Sequence, residues 1–288
     1  MDLVDRALIK NWHNHKARHL KVIILRKSGK LEAANKLIEE SLVIDKFNFG
    51  VLYERYLLSN KQEDLNALKE LIRDYAHNYI EFSLDYAAAG KAEVYPMVYY
   101  FMGWYFEQNG NANQALDCYK KASKMPDIYC FPNKIEEVLA LQAACKANPS
   151  DAKAFYYLGN FWYASKQYKE ARECLETSVK LDDSFAISHR NLALLYYNKT
   201  NQKDEARQHL EKAFELDPTD ARLLMELDQL YKKINVSTEE RLALLEKHND
   251  LTNSRDDLYL ERIALYNMKG DFEKAEELLK QRQFHPWE

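Results

Sequence analysis

Small residues recur along this chain at intervals of 34 or 35 positions, and that period limits the fold more than any local propensity does. Gly159 and Ala193 are 34 residues apart, Ala171 and Ala206 are 35 apart, and Ala206 and Ala275 are 69 apart, twice the period. Bulky residues keep step with them. Leu158 precedes Gly159 and is followed by Trp162, Tyr168, Ala171 and Leu175. Leu192 precedes Ala193 and is followed by Tyr196, Ala206, Leu210, Ala213 and Pro218. Further copies run from Met102-Gly103 through Gly110, Ala115, Tyr119 and Ala122, from Leu227 through Tyr231, and from Tyr259 through Tyr266, Gly270, Phe272, Ala275 and Leu279. A period of this length means one supersecondary unit repeated, each copy burying its apolar face on its neighbours.

The repeated unit is helical. Only 7 Gly and 6 Pro occur in 288 residues, too few for the turns of a β-sandwich or an α/β enzyme. Charged residues reach 30%, and Leu, Ala, Glu and Lys are abundant. Within "FYYLGNFWYASKQYKEA" (155–171) a glycine sits among bulky rings, although a helix-interior glycine costs about 1 kcal/mol relative to alanine. Its use is close approach: the first helix of a helix–turn–helix unit must come near the second. On this reading Gly159 is a hole, with Phe155, Trp162 and Tyr168 as the knobs around it. Tyr168, Ala171, Leu175 and Val179 follow at steps of three and four and form one face of the second helix. Most of the aromatic residues are therefore expected in the core.

This order of residues resembles the tetratricopeptide repeat, whose pattern is W-x2-L-G-x2-Y, then A-x3-F, then P. The resemblance covers most of the chain and is clearest from Pro96 onward. It implies an all-α, right-handed α-solenoid of helix–turn–helix repeats with one inserted non-repeat helix. The expected organisation is a single solenoid over 1–288, with irregular repeats over 1–95, a repeat over 96–127, the extra helix over 128–150 and repeats over 151–284. Gly103 and Gly159 are 56 residues apart, and the excess of 22 corresponds to "IYCFPNKIEEVLALQAACKANP", a helix begun after Pro132 and stopped before Pro149. "NYIEFSLDYAAAG" reads as a first helix ending at Gly90, with its partner, 91–94, reduced to about a turn. "STEERLALLEKH" carries a capping-box start, Ser237 with Glu240, and a short second helix.

The first complete unit is "HKARHLKVIILRKSGKLEAANKLIEESLVI", with Gly29, Ala34 and Ile38 in place. The preceding "MDLVDRALIKNW" then looks like a second helix lacking its first. At the other end the apolar face of 271–283 (Phe272, Ala275, Leu278, Leu279) has no polar cap after it. The expectation is a segment of a longer protein, self-associating weakly through Phe272, Leu278 and Leu279. "CFPNKIEEVLALQAACKANPSDAKAFYYLGNFWY" and "RQFHPWE" also resemble the helical half of large bacterial tetratricopeptide proteins with an N-terminal, β-rich, carbohydrate-associated domain.

Signals for chemistry are few. Net charge is -4, which does not suit a nucleic-acid partner. Lys10 to Lys30 holds seven Lys or Arg and no acid, and reads as a solvated helix face. No apolar run approaches the ~18 residues of a membrane span, and "MDLVD" is not a leader, so a cytoplasmic, membrane-free protein is expected. Cys118, Cys130, Cys145 and Cys174 lack C-x-x-C spacing and read as reduced, packed thiols. His15 and His19 are four apart, with His13 nearby, but Lys16 and Arg18 would repel a metal ion and no third ligand follows. Glu39-Glu40, Glu239-Glu240 and Glu276-Glu277 are adjacent on helices and point apart. No phosphate loop, nucleophile elbow or H-E-x-x-H is present. The reading is a non-enzymatic chain with neither cofactor nor metal.

Stacked helix pairs offer a groove lined by the first helix of each unit, and such grooves hold partners. The positions between the packing residues are Tyr100, Trp104, Tyr156, Asn160, Tyr163, Arg190, Asn191, Tyr197 and Arg222, an aromatic and amide surface with scattered Arg. This points to a scaffold that binds a protein or peptide, including another domain of the same parent. The alternative is a glycan-binding accessory module using the same rings. Some relatives grip a peptide carboxylate with a clamp of Lys, two Asn and two further basic residues. Carried over by position, Asn160 and Asn191 match and Arg222 matches conservatively. The first Lys site holds Tyr156, however, and the last basic site holds Glu226. A carboxylate at that place disfavours an acidic ligand.

Overall fold

Helices form every regular element among the described residues, which in this computed structural model are 2–71, 96–127 and 130–284, and no strand occurs there. The expected helices over 78–90 and 91–94 lie outside the described residues. The chain divides into two compact units, Met1–Ala154 and Phe155–Glu288.

Unit 1 contains α1 (Asp2–Lys10), α2 (His15–Lys27), α3 (Leu31–Ile44), α4 (Phe49–Ser59), α5 (62–71), α6 (Pro96–Gln108), α7 (Ala112–Lys124) and α8 (Ile135–Ala147). Asn14 and Asn48 start α2 and α4 by accepting the backbone N–H of Ala17 and Val51, at 3.0 and 3.1 Å. Val22, Leu25, Ala34, Leu37, Ile38 and Val51 close the core of α2, α3 and α4. The basic stretch from Lys10 to Lys30 is not wholly a solvated face. Arg18 is 1% exposed, lies 4.4 Å from the Trp12 ring centre and donates to Ser41 Oγ at 2.9 Å. The His19 ring packs on Gly50, where a Cβ atom would come within 2.7 Å of it.

The inserted helix is present as α8. The Glu137 carboxylate accepts the N–H groups of Asn133 and Lys134 at 2.7 and 2.8 Å and so fixes its start. Val138, Ala140, Leu141 and Ala144 are fully buried, and α8 packs on α4, α6 and α7. Burial on several sides explains why its sequence has no single apolar stripe.

Unit 2 begins within α9 (Ala152–Ala164) and continues through α10 (Tyr168–Leu181), α11 (Ala186–Leu195), α12 (Lys203–Leu216), α13 (Ala221–Lys233), α14 (Thr238–Lys247), α15 (Asn249–Ser254), α16 (Asp256–Lys269) and α17 (Phe272–Lys280). The turns between paired helices share one device, a left-handed residue: Lys166, Asn201, Asn235 and Gly270, with φ of 60, 55, 63 and 86°. After α11 a π turn, Tyr196–Thr200, absorbs one extra residue.

A Cβ at Gly159 would lie 2.7 Å from Leu175 Cγ. The residue filling the space is therefore Leu175 of α10, not the rings of Phe155, Trp162 and Tyr168. Gly159 and Ala171 form the small pair of these helices; Ala193 and Ala206 hold the same positions in the next pair, and in the third pair Asp228 and Arg241 take them. Those two are buried and joined by bonds of 3.0 and 2.8 Å, with Arg241 also donating to Glu261 at 2.7 Å. At the start of α14, Ser237 Oγ accepts the Glu240 N–H at 3.1 Å, but the Glu240 carboxylate accepts from Arg207 instead of closing a capping box.

Successive pairs are tied by a repeating bond. Tyr196 donates to Glu176 at 2.8 Å, Tyr231 to Glu211 at 2.5 Å, and Tyr266 to Glu246. Donors and acceptors both advance by 35 residues. Burial and the neighbouring carboxylate push all three phenols up, Tyr266 to about 12. In α17, Leu278 faces inward with Ala275, so only Phe272 and Leu279 of the apolar trio are exposed.

Candidate binding face of unit 2

The first helices α9, α11 and α13 bring together residues far apart in sequence. Asn160 and Tyr163 come from α9, Arg190, Asn191 and Leu194 from α11 with Tyr197 in its π turn, and Arg222 and Glu226 from α13. Steps of three and four keep each set on one side of its helix.

A hydrogen-bonded chain crosses all three helices. Glu226 receives Arg190 through Nε at 2.6 Å and through Nη2, and receives Arg222 Nε at 3.1 Å. Arg190 Nη1 donates to Asn191 Oδ1 at 3.0 Å, and Asn191 Nδ2 donates to Asn160 Oδ1 at 2.8 Å. Each amide orientation is thereby set by the next group in the chain. Glu226 thus accepts from both guanidinium groups.

Two hollows flank Leu194. One, of about 130 Å³, is lined by Asn160, Tyr163, Leu175, Asn191 and Leu194. The other, of about 60 Å³, lies among Leu194, Tyr197, Asn198, Glu226, Gln229 and Lys233. Lys199 lies 5.7 Å from the centre of the Tyr163 ring and 4.8 Å from that of Tyr168, and Lys233 lies 5.4 Å from that of Tyr197. Tyr163 to Tyr197 and Lys199 to Lys233 are both 34 residues, so this ring–ammonium pair is itself repeated.

Three expected groove residues are not on this face. Tyr100 and Trp104 are 0% and 1% exposed, on a helix, α6, that packs on both α7 and α8. Tyr100 donates to Asp151 Oδ2 at 3.0 Å, an internal bond. Tyr156 is buried edge-on against Phe185, with ring centres 5.0 Å apart. The sequence reading missed Leu194, Asn198, Gln229 and Lys233, although each lies three or seven residues beyond Asn191 or Glu226. Among the described residues no group of three His, Cys, Asp or Glu is arranged to hold a metal. No helix there is long and apolar enough to cross a membrane.

Models of the tetratricopeptide repeat match residues 98–126, 152–185 and 190–220. The chain is a tetratricopeptide-repeat protein. The last two matched repeats hold α9, α10, the second half of α11 and α12, and thus most of the candidate face. Solved tetratricopeptide structures are similar only at a distance. A MamA protein aligns at 19% identity and a TM-score of 0.43, over 64% of this chain and 88% of that one. The P58(IPK) TPR domain aligns at 18% and 0.40, over 91% and 67%. YrrB, described as a TPR protein with an unusual peptide-binding site, aligns at 16% and 0.29, over 77% and 95%.

Proposed function

We propose that unit 2 holds an extended segment of a partner protein, or of its own parent polypeptide, across α9, α11 and α13, without catalysing a reaction. The observation that carries this reading is the pair of hollows meeting at Leu194 beside fixed amides. Apolar side chains of a ligand fill the hollows. Side-chain amides, which offer both donors and acceptors, meet its backbone. Asn160 Nδ2 makes no bond to other described residues and is left to donate to a ligand carbonyl.

The glycan alternative loses support from burial. It relied on rings, and Tyr100, Trp104 and Tyr156 are internal, while Tyr163 and Tyr197 each already carry a lysine over the ring. Peptide display on the whole chain, followed by calorimetry of the selected peptide, tests the proposal. Leu194→Asp should weaken binding at least tenfold, about 1.4 kcal/mol. Selection of no peptide, together with saturable binding on a glycan array, would replace this reading with the other.

A further inference from the structure

Arg262 breaks the repeat at one of its most apolar positions. Leu158, Leu192 and Leu227 each stand four residues before an aromatic, at Trp162, Tyr196 and Tyr231, and all three are buried. The residue four before Tyr266 is Arg262, buried as deeply, at 4% exposed. A guanidinium at such a depth persists only with partners. Here they are neutral: Nη1 donates to Asn249 Oδ1 at 2.6 Å and Nη2 to Asn253 Oδ1 at 2.8 Å, both on the short α15. Nε has no partner, and Arg262 makes no ion pair with a carboxylate among the described residues.

This arginine lines a polar cleft of about 470 Å³ bounded by α14 to α17 and the residues just after α17, with no described lining residue from α9, α11 or α13. Lys274 and Arg282 line the same cleft, each also touching one acid, Glu277 at 2.8 Å and Asp256. The one carboxylate among the described lining residues, Glu246, already accepts the Tyr266 hydroxyl. Because both asparagine oxygens accept from Arg262, their amide N–H groups are what remain for a ligand. Among the described lining residues, three cations and two amide donors thus accompany a single, engaged carboxylate.

We propose that this cleft binds a multiply charged oxyanion, of phosphate or carboxylate type, whose charge compensates Arg262. Calorimetric titration of the whole chain with inorganic phosphate and, separately, with citrate tests it, at an ionic strength held constant with sodium chloride. Saturable one-to-one binding of at least one of the two is expected. Phosphate alone would assign a phosphoryl group, and citrate alone a carboxylate ligand. Arg262→Leu, which restores the leucine of the other repeats, should weaken binding at least tenfold, and Lys274→Gln roughly threefold or more. Asn160→Ala, outside this lining, should leave anion binding unchanged. The proposal is overturned if neither anion saturates below about 10 mM. It is equally overturned if folded Arg262→Leu binds as wild type does or, should that variant not fold, if Lys274→Gln does.

Discussion

At Gly159 the size limit is set by one neighbour, Leu175, and the contact is specific enough to test. Gly159→Ala should lower stability by about 1–3 kcal/mol through overpacking. Adding Leu175→Ala opens the space, so the double variant should lose less than the sum of the single losses; strict additivity in urea melts would contradict the contact. Two repeats later the small pair is replaced by Asp228 and Arg241. Arg241→Ala strands a buried carboxylate and should cost about 3–5 kcal/mol. Asp228→Gly with Arg241→Ala rebuilds the small–small arrangement and should be more stable than Arg241→Ala alone. The small residues of the regular copies were legible from sequence. The ion pair was not, since one half replaces a glycine, the other an alanine, and only contact shows that they compensate.

Between elements, the Tyr–Glu bonds join each first helix to the second helix of the preceding pair. Tyr231→Phe keeps the ring and removes the bond to Glu211, and a loss of about 1 kcal/mol is expected. The tyrosines were readable as packing residues. Their glutamates were not, because they sit 20 residues upstream on helix surfaces that look solvated. Between α11 and α12, His189 and His209 share a proton through Nδ1 atoms 2.9 Å apart, so at least one ring of the pair is neutral. Burial lowers both pKa values, and for His209 the neighbouring His189 lowers it further, against an opposing Asp183. The unfolded chain thus takes up protons at a higher pH than the folded one. Stability should be full above the unfolded value of about 6.5 and fall as pH drops from there towards the lowered folded values. Urea midpoints at pH 7.5 and 5.5 check this: His209→Asn should show a smaller drop than wild type, and an equal drop would remove the pair as its cause.

Across the molecule, the period defined the helical repeat and located the inserted helix, but the inserted helix changed what the period implied. A regular stack would expose Tyr100 and Trp104; here α6 packs on both α7 and α8 and the two rings are internal. In unit 2, where α9 to α13 follow the pattern, Asn160, Tyr163, Arg190, Asn191, Tyr197 and Arg222 do share one face. Its charge also limits the ligand. With Glu226 holding both Arg190 and Arg222, a peptide ending in an acidic tail should bind no tighter than about 1 mM, checked by calorimetry. Micromolar affinity lost on Asn160→Ala and Arg222→Ala would show a working carboxylate clamp. The binding face itself is tested most directly by photo-crosslinking a display-selected peptide to whole chains carrying a photoreactive residue at position 163, 197 or 268. Crosslinks from 163 and 197, and none from the exposed Met268 position, are predicted. Crosslinking from 268 with silence at 163 and 197 would place the ligand elsewhere and contradict the assignment of this face.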